Sequence, residues 1–377
     1  MVFRKKYYIS GLTAMIVVLL AGFTEIHPVP SRTGLWEMDG RRIVHFFEDQ
    51  ADSLSNPEIV ELQDENGLTV WFGRKFYKDV CITGECKMIR LTLFWDGAGN
   101  YLGMDIPAEE PLTKSDHTEF EAADYEKLEN ILRDTASILK NLKPDDLIAV
   151  PDSIDVYKAY EVDGYTAATR PALAEVVVKD AVYTCHTLWH TVYGPTHDRI
   201  NEILMKRLSL DFLTLMFESR DPSKIAWAIQ RIDQHFQYHS DLYPLIMRCI
   251  KSENAVISEQ AFQYFQVFRL ADIQIQKQLV ELMPDLPPQK KNDLIWRFIE
   301  FGRVSEDVVL DLLKLFQQQR IGIGSLNLIY RLVLPEYLIK NNQILKVVQN
   351  LSEHEDAYVR NLTARLLNTK TGMELNQ

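Results

Sequence analysis

Between Asp163 and Thr169 the chain reads Asp-Gly-Tyr-Thr-Ala-Ala-Thr, with two threonine hydroxyls beside small residues, followed by Arg170-Pro171. Small neighbours let a backbone or an anionic group come close, and Pro171 suits the first position of a helix. Thr166 to Thr169 therefore either cap that helix or hold an anion at its positive end. A second group is Cys185, His186 and His190, whose two imidazoles one helical turn apart have metal-ligand spacing. Leu188 and Trp189 interleave with them and no acidic ligand stands at matching spacing, so this turn reads as buried aromatic packing. Asp116-His117 with Glu119 resembles an acid/base group, but a His directly before a helix serves more simply as a cap or a turn residue.

The stretch Asp163-Gly164-Tyr165-Thr166-Ala167-Ala168-Thr169 resembles the flavinylation motif of FMN-binding domains, D-x-x-[S/T]-G-A-T, as in the C subunit of the sodium-translocating NADH:quinone reductase. Asp163, Thr166, Ala168 and Thr169 fall on the pattern, whereas Ala167 stands where the family has Gly. The resemblance implies that a flavin transferase links FMN through its phosphate to Thr169. Arg170 would then add a charge-assisted contact to that phosphate. Trp95, Tyr101, Tyr165 and Trp189 are aromatic residues that could stack on the isoalloxazine ring, although aromatics in a small domain are usually core. The Ala167 departure bears on close backbone approach and leaves open a domain that keeps the fold without the cofactor.

The elements that must position these residues form an α+β unit. Leu68–Phe72, Lys75–Val80, Met88–Trp95 and Tyr101–Ile106 read as antiparallel strands, with Asp96-Gly97-Ala98-Gly99-Asn100 as a turn. In the third of these, Ile89, Leu91, Leu93 and Trp95 alternate with Met88, Arg90, Thr92 and Phe94, which predicts one buried face. Apolar residues at helical spacing predict a helix over Glu121–Lys140, Asp155–Val162 predicts a further strand, and a second helix should run from Pro171 to about Tyr193. From Thr196 onward, amphipathic helices follow one another, broken at Asp221-Pro222, Ser252 to Asn254, Pro284 to Pro288, Gly302, Gly322 to Gly324 and Pro335. Asp356-Ala357-Tyr358-Val359-Arg360 resembles the turn and second helix of a HEAT-type repeat, with Asp356 as the cap. The boundaries read from this pattern are 1–30 for an export segment, 31–195 for the α+β domain and 196–377 for the helical array.

Arg4-Lys5-Lys6 before the apolar stretch Tyr7–Phe23 is an export signal or membrane anchor. The body is therefore expected outside the cytoplasm, in the periplasm or cell envelope, touching the membrane through the N-terminal segment. Cys81 and Cys86 flank a turn at Gly84 and could close a small disulfide loop; Cys185 and Cys249 read as buried thiols. Residues 31–165 hold 28 Asp and Glu against 14 Lys and Arg, so this half does not suit a nucleic-acid backbone. The sequence contains no P-loop, G-x-S-x-G elbow, dinucleotide fingerprint or C-x-x-C-H. Two functions remain: an FMN carrier passing electrons to a redox partner, or an exported scaffold with a degenerate FMN-binding domain and a helical surface for protein partners.

Overall fold

A computed structural model describes residues 33–48, 55–79, 88–147, 171–236 and 240–371. The export segment, Cys81, Cys86 and the expected strand Asp155–Val162 lie outside the described residues. The fold is α+β: a five-stranded antiparallel meander in the order β1-β2-β3-β4-β5, followed by a long helical region. The strands are β1 Arg41–Phe46, β2 Glu58–Gln63, β3 Thr69–Lys78, β4 Ile89–Asp96 and β5 Tyr101–Asp105. The first two precede the segment in which strands were expected, because their apolar runs are short and each is interrupted by charge. The two separate strands read in 68–80 are the single strand β3.

One sheet face carries Ile59, Phe72, Phe76, Leu91, Leu93, Trp95 and Met104, all buried under helices. The expected alternation in β4 places Leu91, Leu93 and Trp95 on this face. Phe94 is nevertheless buried too, because the segment Leu35–Glu37 lies across the opposite face and sets Trp36 on Trp71, ring centroids 5.7 Å apart, and on Phe94 at 6.2 Å. Two glycines make room for it: a Cβ on Gly73 would stand 3.1 Å from the Trp36 ring, and one on Gly103 would stand 2.9 Å from Thr33. Arg42 fixes the segment by donating to the carbonyls of Trp36 at 2.5 Å and Met38 at 3.0 Å.

On the inner face α1 (Ala122–Arg133) packs beside β5. It is shorter than expected, since the chain turns at Asp134 and re-enters a 3-10 turn at Ile138–Asn141. The expected helix from Pro171 to Tyr193 is two pieces, α2 (Pro171–Ala174) and α3 (Val182–Val192), parted where Asp180 takes φ 57°. Ahead of α4 (Pro195–Lys206), Gly194-Pro195 closes α3 as its sequence predicts.

The array then runs α5 Leu210–Glu218, α6 Pro222–His235, α7 Tyr243–Cys249, α8 Ala255–Tyr264, α9 Ile273–Leu282, α10 Pro288–Phe301, α11 Glu306–Gln317, α12 Leu326–Leu332, α13 Pro335–Lys340, α14 Asn342–Ser352 and α15 Ala357–Thr371. Every break read from the sequence falls between helices or at the first residue of one, as at Pro222, Pro288 and Pro335. Side-chain caps explain several starts: Asp221, Asn254, Asp272, Ser305, Asn341 and Asp356 each accept backbone N–H bonds from the first turn. Helices stack in two rows, α6, α8, α10, α12 and α15 in one and α9, α11 and α14 in the other. One contiguous cluster of buried apolar side chains extends from Ile59 in the sheet to Leu366 in α15.

Candidate functional site

Asp163, Thr166, Ala167, Ala168, Thr169 and Arg170 lie outside the described residues, which resume at Pro171. Helix α2 has four residues, and so short a run of aligned peptides sums to a weak dipole. Three of the four aromatic candidates are committed to the core. Trp95 is fully buried and its indole N–H donates to Val192 O at 3.0 Å. Trp189 is buried and donates to Asp134 O at 3.0 Å. Tyr101 is buried beside Glu129, and burial raises its phenol well above the ordinary value. Tyr165 lies outside the described residues. The described part of the site therefore offers an isoalloxazine ring no free stacking face from Trp95, Tyr101 or Trp189.

Those donors belong to a larger arrangement on α3. His186 Nε2 donates to Leu142 O at 2.9 Å, His190 Nε2 to Leu139 O at 3.0 Å, and the Tyr193 hydroxyl to Leu132 O at 2.7 Å. With Trp189, four side chains from α3 and its C-cap donate to carbonyls between Leu132 and Leu142, where α1 ends and the 3-10 turn follows; Asp134 O and Leu139 O also accept the N–H groups of Ser137 and Leu142. The imidazoles, 4.3 Å apart between centroids, are thus structural donors. Burial pushes His186 below its ordinary value, and the neighbouring His190 adds to the shift. Among the described residues no three His, Cys, Asp or Glu side chains cluster as a metal site. Burial raises the Cys185 thiol to about 11, which leaves it unreactive at neutral pH. His117 sits in an exposed turn at φ 63°, following Asp116, whose carboxylate accepts from Thr118.

The most strongly polar site in the described structure is one that sequence reasoning missed. Glu61, in the middle of β2, has 0 % exposure, yet its carboxylate holds five polar contacts. Arg207, just past α4, grips it from both ends, Nη1 to Oε1 at 2.5 Å and Nη2 to Oε2 at 2.6 Å. The Thr69 hydroxyl donates at 2.6 Å, Gln63 Nε2 donates at 2.9 Å, and His45 Nε2 lies 2.8 Å from Oε2. Burial raises the Glu61 carboxyl, but the Arg207 guanidinium and the Thr69, His45 and Gln63 bonds outweigh it and hold the group at about 2. Arg74 repeats the theme one strand over, buried on the same face, with Nη1 donating to Thr196 Oγ1 at 2.6 Å and Nε to Asn56 O at 2.7 Å. Every acceptor position on Glu61 is taken, so the group is poised to hold the sheet to α4 and not to accept a proton from a substrate. A charged residue at an inward position of an alternating strand, Ile59-Val60-Glu61-Leu62, was the available signal.

The helical rows carry a comparable set of links. Arg269 donates to Asp233, Lys290 to Ser258, Arg297 to Phe262 O, Ser325 to Asn292, and Tyr337 to Val304 O, and the pairs are 36, 32, 35, 33 and 33 residues apart. Tyr330 and Thr363, 2.7 Å apart in the core, are also separated by 33 residues. Cations additionally lie over the aromatic rings of the preceding helix in the row: Arg297 is 4.0 Å from the Phe262 centroid and Arg331 4.6 Å from that of Trp296. Further bonds between helices in this region span 27 to 30 residues, as from Gln276 to Arg303 O and from Lys277 to Asp307. Among the described residues no helix is long and apolar enough to cross a membrane. Comparison with protein family models, with curated proteins and with solved structures finds no match to this chain.

Proposed function

We propose that this chain is an exported binding scaffold in which HEAT-like helix pairs form the surface for protein partners and the sheet is their fixed base. The observation that carries the reading is the row of inter-helix bonds at separations of 32 to 36 residues. Stacked pairs joined this way form a stiff, extended surface, the form that repeat proteins use for binding. The Glu61–Arg207 and Arg74–Thr196 links tie the first helix of the region to the sheet, so a partner on the array would be held at a set position relative to the base. The apolar segment Tyr7–Phe23 would place the whole in the cell envelope. The test is photo-crosslinking in the producing cell from position 296 or 358, where Trp296 and Tyr358 are about half exposed. A discrete cross-linked partner from these positions, lost when Arg331 is changed to Glu, supports the reading; only unlinked monomer from both refutes it.

A second reading, an FMN carrier in electron transfer, rests on the motif Asp163–Thr169. Flavin bound there would supply the redox chemistry, and a flavin transferase and a redox partner would be required. Intact mass and visible absorbance of the protein exported from a host carrying a flavin transferase decide it. A mass increase of one FMN with yellow colour, lost in Thr169→Val, would establish the attachment, while unmodified, colourless protein refutes it and leaves the scaffold standing.

A further inference from the structure

The two edges of the sheet are treated differently. At β5, the Thr33 backbone N–H and hydroxyl both donate to Asp105, at 2.5 and 2.8 Å, and α1 lies alongside. At β1, the only described neighbour is β2, in the register Ile43↔Glu61, Val44↔Val60 and His45↔Ile59. The N–H of Phe47 donates to Pro57 O at 2.7 Å, which fixes the phase of the ladder. Residues 41, 43 and 45 turn their backbone groups to β2, and Arg42, Val44 and Phe46 turn theirs to the other side, where no strand pairs with them among the described residues. Exposed edges of this kind pair readily with another extended chain, and proteins usually blunt or cover them.

Three features say what would add there. Val44 is 45 % and Phe46 71 % exposed, so the edge is apolar where its side chains face water. Exposed Arg41 and Arg42 open the strand, Arg42 also holding the Trp36 and Met38 carbonyls, while His45 is turned onto Glu61 and no carboxylate lies within the six residues, although the domain around them carries twice as many acidic as basic residues. At the Phe46 end the strand opens on a cavity of about 400 Å³ walled by the apolar Phe46, Phe47 and Pro195 and by the charged Glu48, Asp198, Arg199 and Glu202, so an acidic group is suited to the Arg41 end and an apolar one to this end. We propose that β1 is a docking edge for an extended, acidic segment of a partner polypeptide, which joins as a sixth, antiparallel strand. Its backbone pairs with Arg42, Val44 and Phe46, its carboxylates face Arg41 and Arg42, and an apolar side chain at its other end enters the cavity. This surface is formed by β1 and α4 and includes neither Trp296 nor Tyr358, so it and the partner surface proposed above can fail independently.

The test uses the full chain and the labelled probe acetyl-Phe-Thr-Val-Thr-Glu-Glu-amide, followed by fluorescence anisotropy, with hydrogen exchange read on the fragment covering 41–47. The expected result is saturable binding that slows exchange at 42, 44 and 46. Binding should weaken roughly tenfold when the probe carries Lys in place of Glu, or in Arg41→Glu. Val44→Pro should abolish it, because proline removes an outward N–H without touching the ladder to β2. Arg41→Glu keeps the test valid if Val44→Pro unfolds the strand. The proposal is overturned by absence of saturable binding, by binding indifferent to these changes, by edge amides already protected in the free chain, or by a dimer that forms through β1 in place of peptide binding.

Discussion

Replacing Arg207 by Ala would leave the Glu61 carboxylate with 0 % exposure and without its charge partner. Removing one member of a buried ion pair costs about 3–5 kcal/mol, because the remaining charge keeps its desolvation penalty. The titration gives an independent figure. A carboxyl held at about 2 in place of its ordinary 4.5 contributes on the order of 3 kcal/mol at neutral pH. The sign follows from the depressed folded value: this stability is present in full above the unfolded pKa and is lost as pH falls from 4.5 through about 2. Urea unfolding, followed by tryptophan fluorescence at pH 7 and pH 3, should show Arg207→Ala losing about 3 kcal/mol at pH 7, with a smaller difference from wild type at pH 3. Glu61→Gln should cost less, about 1–2 kcal/mol, since Arg207 keeps a quarter of its side chain in water and finds solvent as a partner. It should also flatten the acid limb of the stability profile. An Arg207→Ala protein within about 0.5 kcal/mol of wild type at pH 7 would refute the argument, for that is the range of an ordinary surface change.

Trp36→Ala should cost about 2 kcal/mol in urea unfolding, through lost stacking and burial on Trp71 and Phe94, and should increase protease cleavage in the segment before β1. Tyr330→Phe leaves Thr363 bonded to Val359 O but removes the hydroxyl contact between α12 and α15; about 1 kcal/mol is expected, read as faster hydrogen exchange confined to α15. His186 and His197 are both pushed below their ordinary 6.5 by burial, so the stability that their neutral forms contribute is complete above that value and is lost as pH falls below it. The urea midpoint should therefore drop between pH 7.5 and 5.5, and His186→Gln should reduce the drop; an unchanged midpoint would count against the α3 arrangement.

Periodicity and punctuation in the sequence were enough for the α+β class, the β4–β5 hairpin and a helical array with several of its breaks after Thr196, because alternation, helical spacing, proline and capping residues act within a few neighbours. The starts at Asp221, Asn254 and Asp356 are examples: each side chain caps residues two or three positions on. Local signals failed where distant contacts decide. β1 and β2 are too short and too charged to stand out, and become strands because β3 pairs with β2 and α4 supplies Arg207 to a carboxylate 146 residues away. Phe94 alternates onto the outer face and is buried there against Trp71 and under Trp36, which crosses Gly73. Trp95, Tyr101 and Trp189 have the right type to stack on a flavin, but all three are buried, with the two indole N–H groups turned onto backbone carbonyls. Residue type fixes what a side chain can do, while packing across the chain fixes which groups are still free to do it.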